Sequence, residues 1–482
     1  MKKCQIFHFP LPSILLVMRP RRNQTVFLNF FVFLLIFFQI CSTEANAQPV
    51  FSPEKIDEKF YQDAYATAEK QYKKDLKNLP AQNRKELEKI YEARWENIKA
   101  SFDKNEIYTG SEANGYLKLI VDEIVKNNPD LQDKAFSCYF SRSGIRNATY
   151  VGEGIILLNM GLFSVLENES QLAFVLGHEL AHFYLHHSEK TIYDHVATLN
   201  SETVQADLKK IRKTTYGKRE EVEKLLNVLT FDSRRHGRNH ESSADSMAVE
   251  LLRNTRFDVS EAMSALALLD TIDVEKIDMK LALTNIFDNK DYPFQKRWIK
   301  KEEGLLGGHA TLKNNQAMAD SLKTHPDCKD RIEAVKPLID KIAQKSSSKN
   351  VVDPLQFERY KELFRYEVID YAFTSGNYTR SLYYTVEMLL KQPDDPYLVV
   401  QTGRLFNGFF EAQNNKILGK VTELPAPAFP PQYNLLLQFI QNLYKEEYAG
   451  IGYFFLNRYK DQLGTDPAFQ KIFEKSKQNF KP

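Results

Sequence analysis

The chain has 482 residues, room for two or three domains of ~100–200 residues each. Its 65 Lys+Arg stand against 63 Asp+Glu, a formal net charge of +2, so it lacks the basic excess that nucleic-acid binding needs. Apolar residues at 43% and charged ones at 27% exclude wholesale disorder, and only 19 Gly and 19 Pro suit a helix-rich globular protein.

Arg19, Arg21 and Arg22 precede an apolar run from Val26 to Cys41, which is followed by Ala45-Asn46-Ala47. A basic region, an apolar region and a small-residue A-x-A site mark residues 1–47 as a Sec-type signal peptide. The alternative is an uncleaved membrane anchor over residues 25–41. Met18, immediately ahead of the basic cluster, is an alternative start, and bulky Ile40 before Cys41 argues against lipidation. Removal of residues 1–47 takes away Lys2, Lys3, Arg19, Arg21, Arg22 and Glu44, leaving 60 basic and 62 acidic side chains, net −2. No later apolar run reaches membrane-spanning length, against a multispan protein. The remaining cysteines, Cys138 and Cys328, form either one disulfide or two unpaired thiols.

Residues 48–110 are expected to form an N-terminal helical segment of one or two amphipathic helices between Ser52 and Phe102, broken near Pro80. A second domain is expected over 111–345, opening with a helix from Tyr116 to Val125 and a strand-like run from Ala135 to Phe140. Asn147 to Val151, the Gly152/Gly154 pair and Ile155 to Leu158 spell a β-hairpin. Glu169 to about Glu189 then reads as a single long buried helix. Ser201 to Leu229 is charged and helical, and apolar helices follow from His240 to Leu252 and from Ser260 to Leu269. Between Asp288 and Lys313 the chain turns irregular around Gly304-Leu305-Leu306-Gly307-Gly308, a candidate lid. Residues 346–354 read as a linker, and 355–482 as all helix. There, Ser375-Gly376-Asn377 joins two helices, and Asp395-Pro396 and Asp466-Pro467 lie 71 residues apart. That spacing is about twice the 34-residue tetratricopeptide period, with an ordinary helical bundle as the alternative. The fold class expected is mainly α (α+β): a domain with a small β-sheet, followed by a helical, TPR-like region.

The chemistry concentrates in His178-Glu179-Leu180-Ala181-His182. Positions i and i+4 share one helical face, so His178 and His182 can hold one cation, with Glu179 on the adjoining flank able to reach a water there. Catalytic zinc needs a third protein ligand and an open position. Sixty-three residues after His178, Glu241-Ser242-Ser243-Ala244-Asp245 opens another helix: Glu241 can ligate, and Asp245, one turn behind, can accept the ring N–H of a liganding histidine. His186 is an alternative ligand should Glu241 not serve. His236 and His240 read as exposed residues at a helix start. Leu185 and Ser188 exclude the metzincin pattern.

HExxH with a distant ExxAD resembles the gluzincin peptidases of family M48. Asn147-Ala148, Gly154-Ile155, Gly161-Leu162, Gly237-Arg238, Thr324-His325-Pro326 and Arg331 also match its pattern, over about residues 115 to 337. His187 matches a family position as well, and reads as packed against the domain. Gln171 and Ala248 depart from the more usual Glu and Gly, and the insertion Asn200 to Leu229 is longer than in compact members. The resemblance implies a zincin-like metallopeptidase domain with one Zn2+ per chain, held by His178, His182 and Glu241. Glu179 would be the general base, Asp245 a supporting acid, and His325 a regulatory fourth ligand or oxyanion stabiliser, or else a helix-cap residue. Polypeptide substrates would pair with the edge strand at Asn147, Ala148, Thr149 and Tyr150 by β-augmentation. The resemblance further implies a periplasmic protease of envelope quality control, with secretion or membrane anchoring as alternatives. It also implies an envelope protein partner for the C-terminal helices, with membrane association and no nucleic acid. A catalytically latent, chaperone-like factor on the same fold is the alternative function.

Overall fold

The computed structural model describes residues 51–480 apart from 54, 214–236, 273, 301–327 and 343–346. The signal peptide, the start site, His236, the Gly304–Gly308 lid and His325 lie outside the described residues. Among the described residues no helix is long and apolar enough to cross a membrane.

The chain is mainly helical, with one small sheet. The N-terminal segment forms two helices, Glu58–Lys77 and Arg84–Asp103, with Pro80 in the break. Helix Ser111–Lys126 then packs against the first strand, β1 (Ser137–Ser141). The hairpin signalled by Gly152 and Gly154 is present as β2 (Ala148–Gly152) and β3 (Ile155–Asn159). Both glycines have positive φ, +102° and +72°, which the tight turn requires and side-chain-bearing residues rarely adopt. The strand order is β1-β3-β2, with β1 parallel and β2 antiparallel to β3. Among the described residues β2 is therefore an edge strand.

Beside it runs helix Glu169–Tyr184, capped by Asn168, whose side chain accepts from the Gln171 N–H. Almost every residue of that helix down to Ala181 is buried. The single long helix expected through Glu189 is corrected here. The helix stops at Tyr184, His186 takes a left-handed conformation (φ 56°), and a new helix runs His187–Leu199. The break turns the His187 ring inward onto His182 and leaves the His186 side chain 64% exposed. Helix Glu202–Lys213, a helix over 237–252, and helices Glu261–Thr271 and Cys328–Ile339 complete this part. Gly177 faces Ala248, so a Cβ built at Gly177 would meet the Ala248 Cβ at 3.6 Å, and two small residues let these helices approach closely. Gln171 is spent on structure: its side chain accepts from the Glu167 N–H and donates to Glu261 and Ser264.

The C-terminal part is helical from Pro354 to Asn479, with helices Pro354–Thr374 and Tyr378–Leu389 joined through Gly376. Asp395 and Asp466 cap the helices that open at Pro396 and Pro467. Helix Pro354–Thr374 contributes Phe357, Tyr360 and Phe364 to the core around the metal helix, and Ile369 to the core of the C-terminal helices. The segment expected as a linker is tied down. Glu169, fully buried at the first turn of the metal helix, accepts the backbone N–H groups of Val351, Val352 and Asp353 at 2.5, 2.6 and 2.7 Å. It also accepts the Tyr116 hydroxyl at 2.9 Å. Cys138 and Cys328 are both free thiols, and burial pushes them up to about 12 and 11, which leaves them protonated at neutral pH.

Candidate metal centre

One helical turn separates His178 from His182, and their Nε2 atoms lie 3.0 Å apart. The helix over 237–252 brings Glu241 against both rings, its carboxylate oxygens 3.5 Å from His178 Nε2 and 3.3 Å from His182 Nε2. The ligand atoms of these three residues all lie within 4.8 Å of one another, the only such cluster among the described residues.

Hydrogen bonds fix which ring nitrogens are bare. Ser243 Oγ donates to the His240 carbonyl at 3.0 Å, and so accepts from His187 Nε2 at 3.1 Å. His187 Nδ1 then lacks a proton and accepts from His182 Nδ1 at 3.0 Å. His178 Nδ1 donates to Asp245 Oδ1 at 2.9 Å. Both Nε2 atoms are left with lone pairs aimed at the same point, which is repulsive unless a cation sits there. Four ligands at ~2.0–2.1 Å from zinc in a tetrahedron stand ~3.3 Å from one another. The observed separations of 3.0, 3.3 and 3.5 Å fit that spacing.

The charges fit as well. Arg331 Nε and Nη2 both bond the Asp245 carboxylate at 2.7 Å, and its Nη1 lies 3.3 Å from Glu241. Three carboxylates, Glu179, Glu241 and Asp245, thus meet one guanidinium, leaving a charge of −2 for a divalent ion to balance. Burial works against the charge on Glu241, but His178, His182 and Arg331 hold it well below the usual carboxylate range. Burial opposes the protonated His178 ring too, yet Asp245 and Glu241 outweigh it and push its pKa up to about 10. Without metal, a proton takes the place of the cation. Burial and the neighbouring His182 push His187 down to about 3, so its ring stays neutral and can accept. Glu179 is buried and raised by desolvation, against the pull of both histidines. Its Oε2 accepts the Tyr150 N–H at 2.7 Å, tying it to β2.

The structure therefore gathers His178, Glu179, His182, Glu241 and Asp245 at one point, beside Ala148, Thr149 and Tyr150 on the edge strand and Asn147 just ahead of it. His186 points away. His240 stacks on His187, centroids 4.3 Å apart, rather than standing free at a helix start. Two partnerships escape sequence reasoning. Arg331 was visible only as a motif residue and His187 only as a packed one, and nothing local marks their partners Asp245 and His182.

Replacing Asp245 by Asn removes the charge that holds the His178 tautomer and leaves the Arg331 guanidinium with Glu241 as its carboxylate partner. Zinc affinity is expected to fall about 10–100-fold, measured by competition with a chelating dye. Unchanged affinity would remove Asp245 from the site.

A His-Glu-x-x-His helix beside an edge strand, joined by a glutamate from a second helix, is the arrangement of a zincin-like metallopeptidase domain. Residues 111–339 match the model of peptidase family M48, whose members are zinc-dependent in general, and the match supports a metallopeptidase. No curated protein matches the chain.

Proposed function

We propose that the protein is an exported zinc metalloendopeptidase that cuts unfolded or misassembled envelope proteins. The supporting observation is the convergence of His178, His182 and Glu241 beside an open sheet edge, with Glu179 between them. Bound there, zinc would act as a Lewis acid, lowering the pKa of water towards ~7 and polarising the scissile carbonyl. Glu179 takes a proton from the attacking water as its oxygen adds to the carbonyl carbon, then delivers that proton to the amine as the C–N bond breaks. Asp245 and His187 keep the two rings in the ligating tautomer. An extended polypeptide pairs with β2, which recognises backbone rather than sequence and favours unfolded chains. The Sec-type pattern of residues 1–47 supports export to the periplasm, and the helices after Pro354 are suited to an envelope partner.

The full chain loaded with zinc is expected to hydrolyse unfolded casein. A zinc chelator should stop the reaction and added zinc should restore it. Suppressed aggregation of unfolded protein with no cleavage would favour a chaperone-like factor instead.

A further inference from the structure

The end of β2 is held from outside the stretch that matches the family model. Helix Arg84–Asp103 precedes residues 111–339, yet it packs on β2 and on helix His187–Leu199. Leu87, Tyr91 and Val196 fill the contact between the two helices. A Cβ at Gly152 would lie 2.5 Å from Arg94 Nε, so the guanidinium rests directly on the last residue of the strand. Arg94 Nε and Nη2 both donate to Glu153 Oε1, at 3.1 and 2.8 Å, and the guanidinium carbon lies 4.2 Å from the centre of the Tyr91 ring.

Glu153 is ill suited to its place by backbone and by solvation alike. It stands at the hairpin tip with φ +49°, between two glycines of positive φ, a conformation that a residue with a Cβ adopts at a cost. Its side chain is 0% exposed, and that of Arg94 13%. A strained backbone that carries a buried carboxylate persists only where its surroundings hold it in place. Here the hold is the guanidinium of a helix 59 residues earlier in the chain.

That hold is incomplete. Both Arg94 donors go to one oxygen, while Glu153 Oε2 and Arg94 Nη1 are buried without a hydrogen-bond partner among the described residues. Two further carboxylates share the same guanidinium, Asp75 of helix Glu58–Lys77 and Glu189 of helix His187–Leu199, and the phenols of Tyr72 and Tyr150 face Glu153 as well. Glu189 accepts the Tyr150 hydroxyl at 3.2 Å, so the cluster reaches the very strand residue whose N–H holds Glu179. Burial pushes the Glu153 carboxyl up to about 7, with Arg94 pulling it down and Asp75 and Glu189 adding to the rise. A carboxyl raised in this way favours the packed cluster while protonated. That gain is complete below its ordinary value of 4.5 and is lost as the pH rises through about 7.

We propose that Arg94 and Glu153 are positioning residues for the substrate strand, a clamp that keeps β2 in the form that pairs with a polypeptide and slackens when Glu153 ionises. The proposal rests on the metallopeptidase reading and adds to it a regulation of the same site. A bound polypeptide itself orders the strand it pairs with. A slack clamp therefore lowers the share of molecules ready to bind and leaves the chemical step alone, so KM moves and kcat does not.

The test uses the zinc-loaded full chain and a fluorogenic peptide. In R94A, KM should rise about tenfold, the value of one charge-assisted contact, with zinc content unchanged and kcat within about twofold of the wild type. E153Q keeps an oxygen for Arg94 but cannot ionise, and it decides the matter should R94A fail to fold. The ratio of wild-type KM to E153Q KM cancels the titrations that the two proteins share, and should rise about tenfold between pH 6 and 8. A folded R94A protein with the wild-type KM, one in which kcat falls and KM does not, or a KM ratio that is flat with pH would overturn the proposal and leave the metallopeptidase reading standing. Failure of the wild type to cut the peptide or casein would sink that reading and the proposal together.

Discussion

An E179Q protein is expected to hold zinc as the wild type does and to cleave unfolded casein about 10²–10⁴-fold more slowly, the range that a positioned general base contributes. The two effects separate because Glu179 is not among the three converging ligands; its Oε2 is held instead by the Tyr150 N–H. A glutamine can still accept that N–H through its amide oxygen, so the edge strand and the helix should keep their positions. It cannot take a proton from water. Metal content by atomic absorption and initial cleavage rates give the two readouts, and cleavage at the wild-type rate would remove Glu179 from the mechanism.

The second large effect is on stability. Glu169 is fully buried and gathers three backbone N–H groups from residues 351–353 together with the Tyr116 hydroxyl. Its own backbone N–H is satisfied by Asn350 Oδ1 and that of Ser170 by the Lys349 carbonyl, so one end of the metal helix is stitched to the segment leading into the C-terminal helices. Glu169→Ala would leave three amide donors and a phenol without their acceptor in a dry site, where each costs about 1–3 kcal/mol. A destabilisation of about 3–5 kcal/mol is expected in urea unfolding, accompanied by faster proteolysis around residues 347–354. A change below about 1 kcal/mol would mean that water reaches these groups.

What could be read in the sequence divides by range. The HExxH pair was legible because four-residue spacing alone puts two side chains on one helical face, and the hairpin because Gly152 and Gly154 mark a turn with positive φ. Glu241 and Asp245 were legible as a second i, i+4 pair. The stop at Tyr184 was not, since neither Gly nor Pro stands at Leu185, His186 or His187. There the left-handed turn at His186 accompanies contacts of His187 with His182 and Ser243, the latter 56 residues away. The anchoring of the segment before Pro354 was hidden for a similar reason: Ser346 to Asn350 has loop composition, but Glu169, more than 180 residues earlier, holds the residues that follow it. Arg331 reaches back 86 residues to Asp245. Local pattern thus reveals elements and ligand pairs, while buried charges that join distant segments emerge only once the chain is packed.

The most direct measurement is an anomalous-difference map at the zinc absorption edge from crystals of the full chain supplied with one equivalent of zinc. The coordination set predicts a single strong peak about 2.0–2.2 Å from His178 Nε2, His182 Nε2 and a Glu241 oxygen, and its loss in crystals of an H178A protein. A zinc peak elsewhere, or one at this place without Glu241 as a ligand, would contradict it.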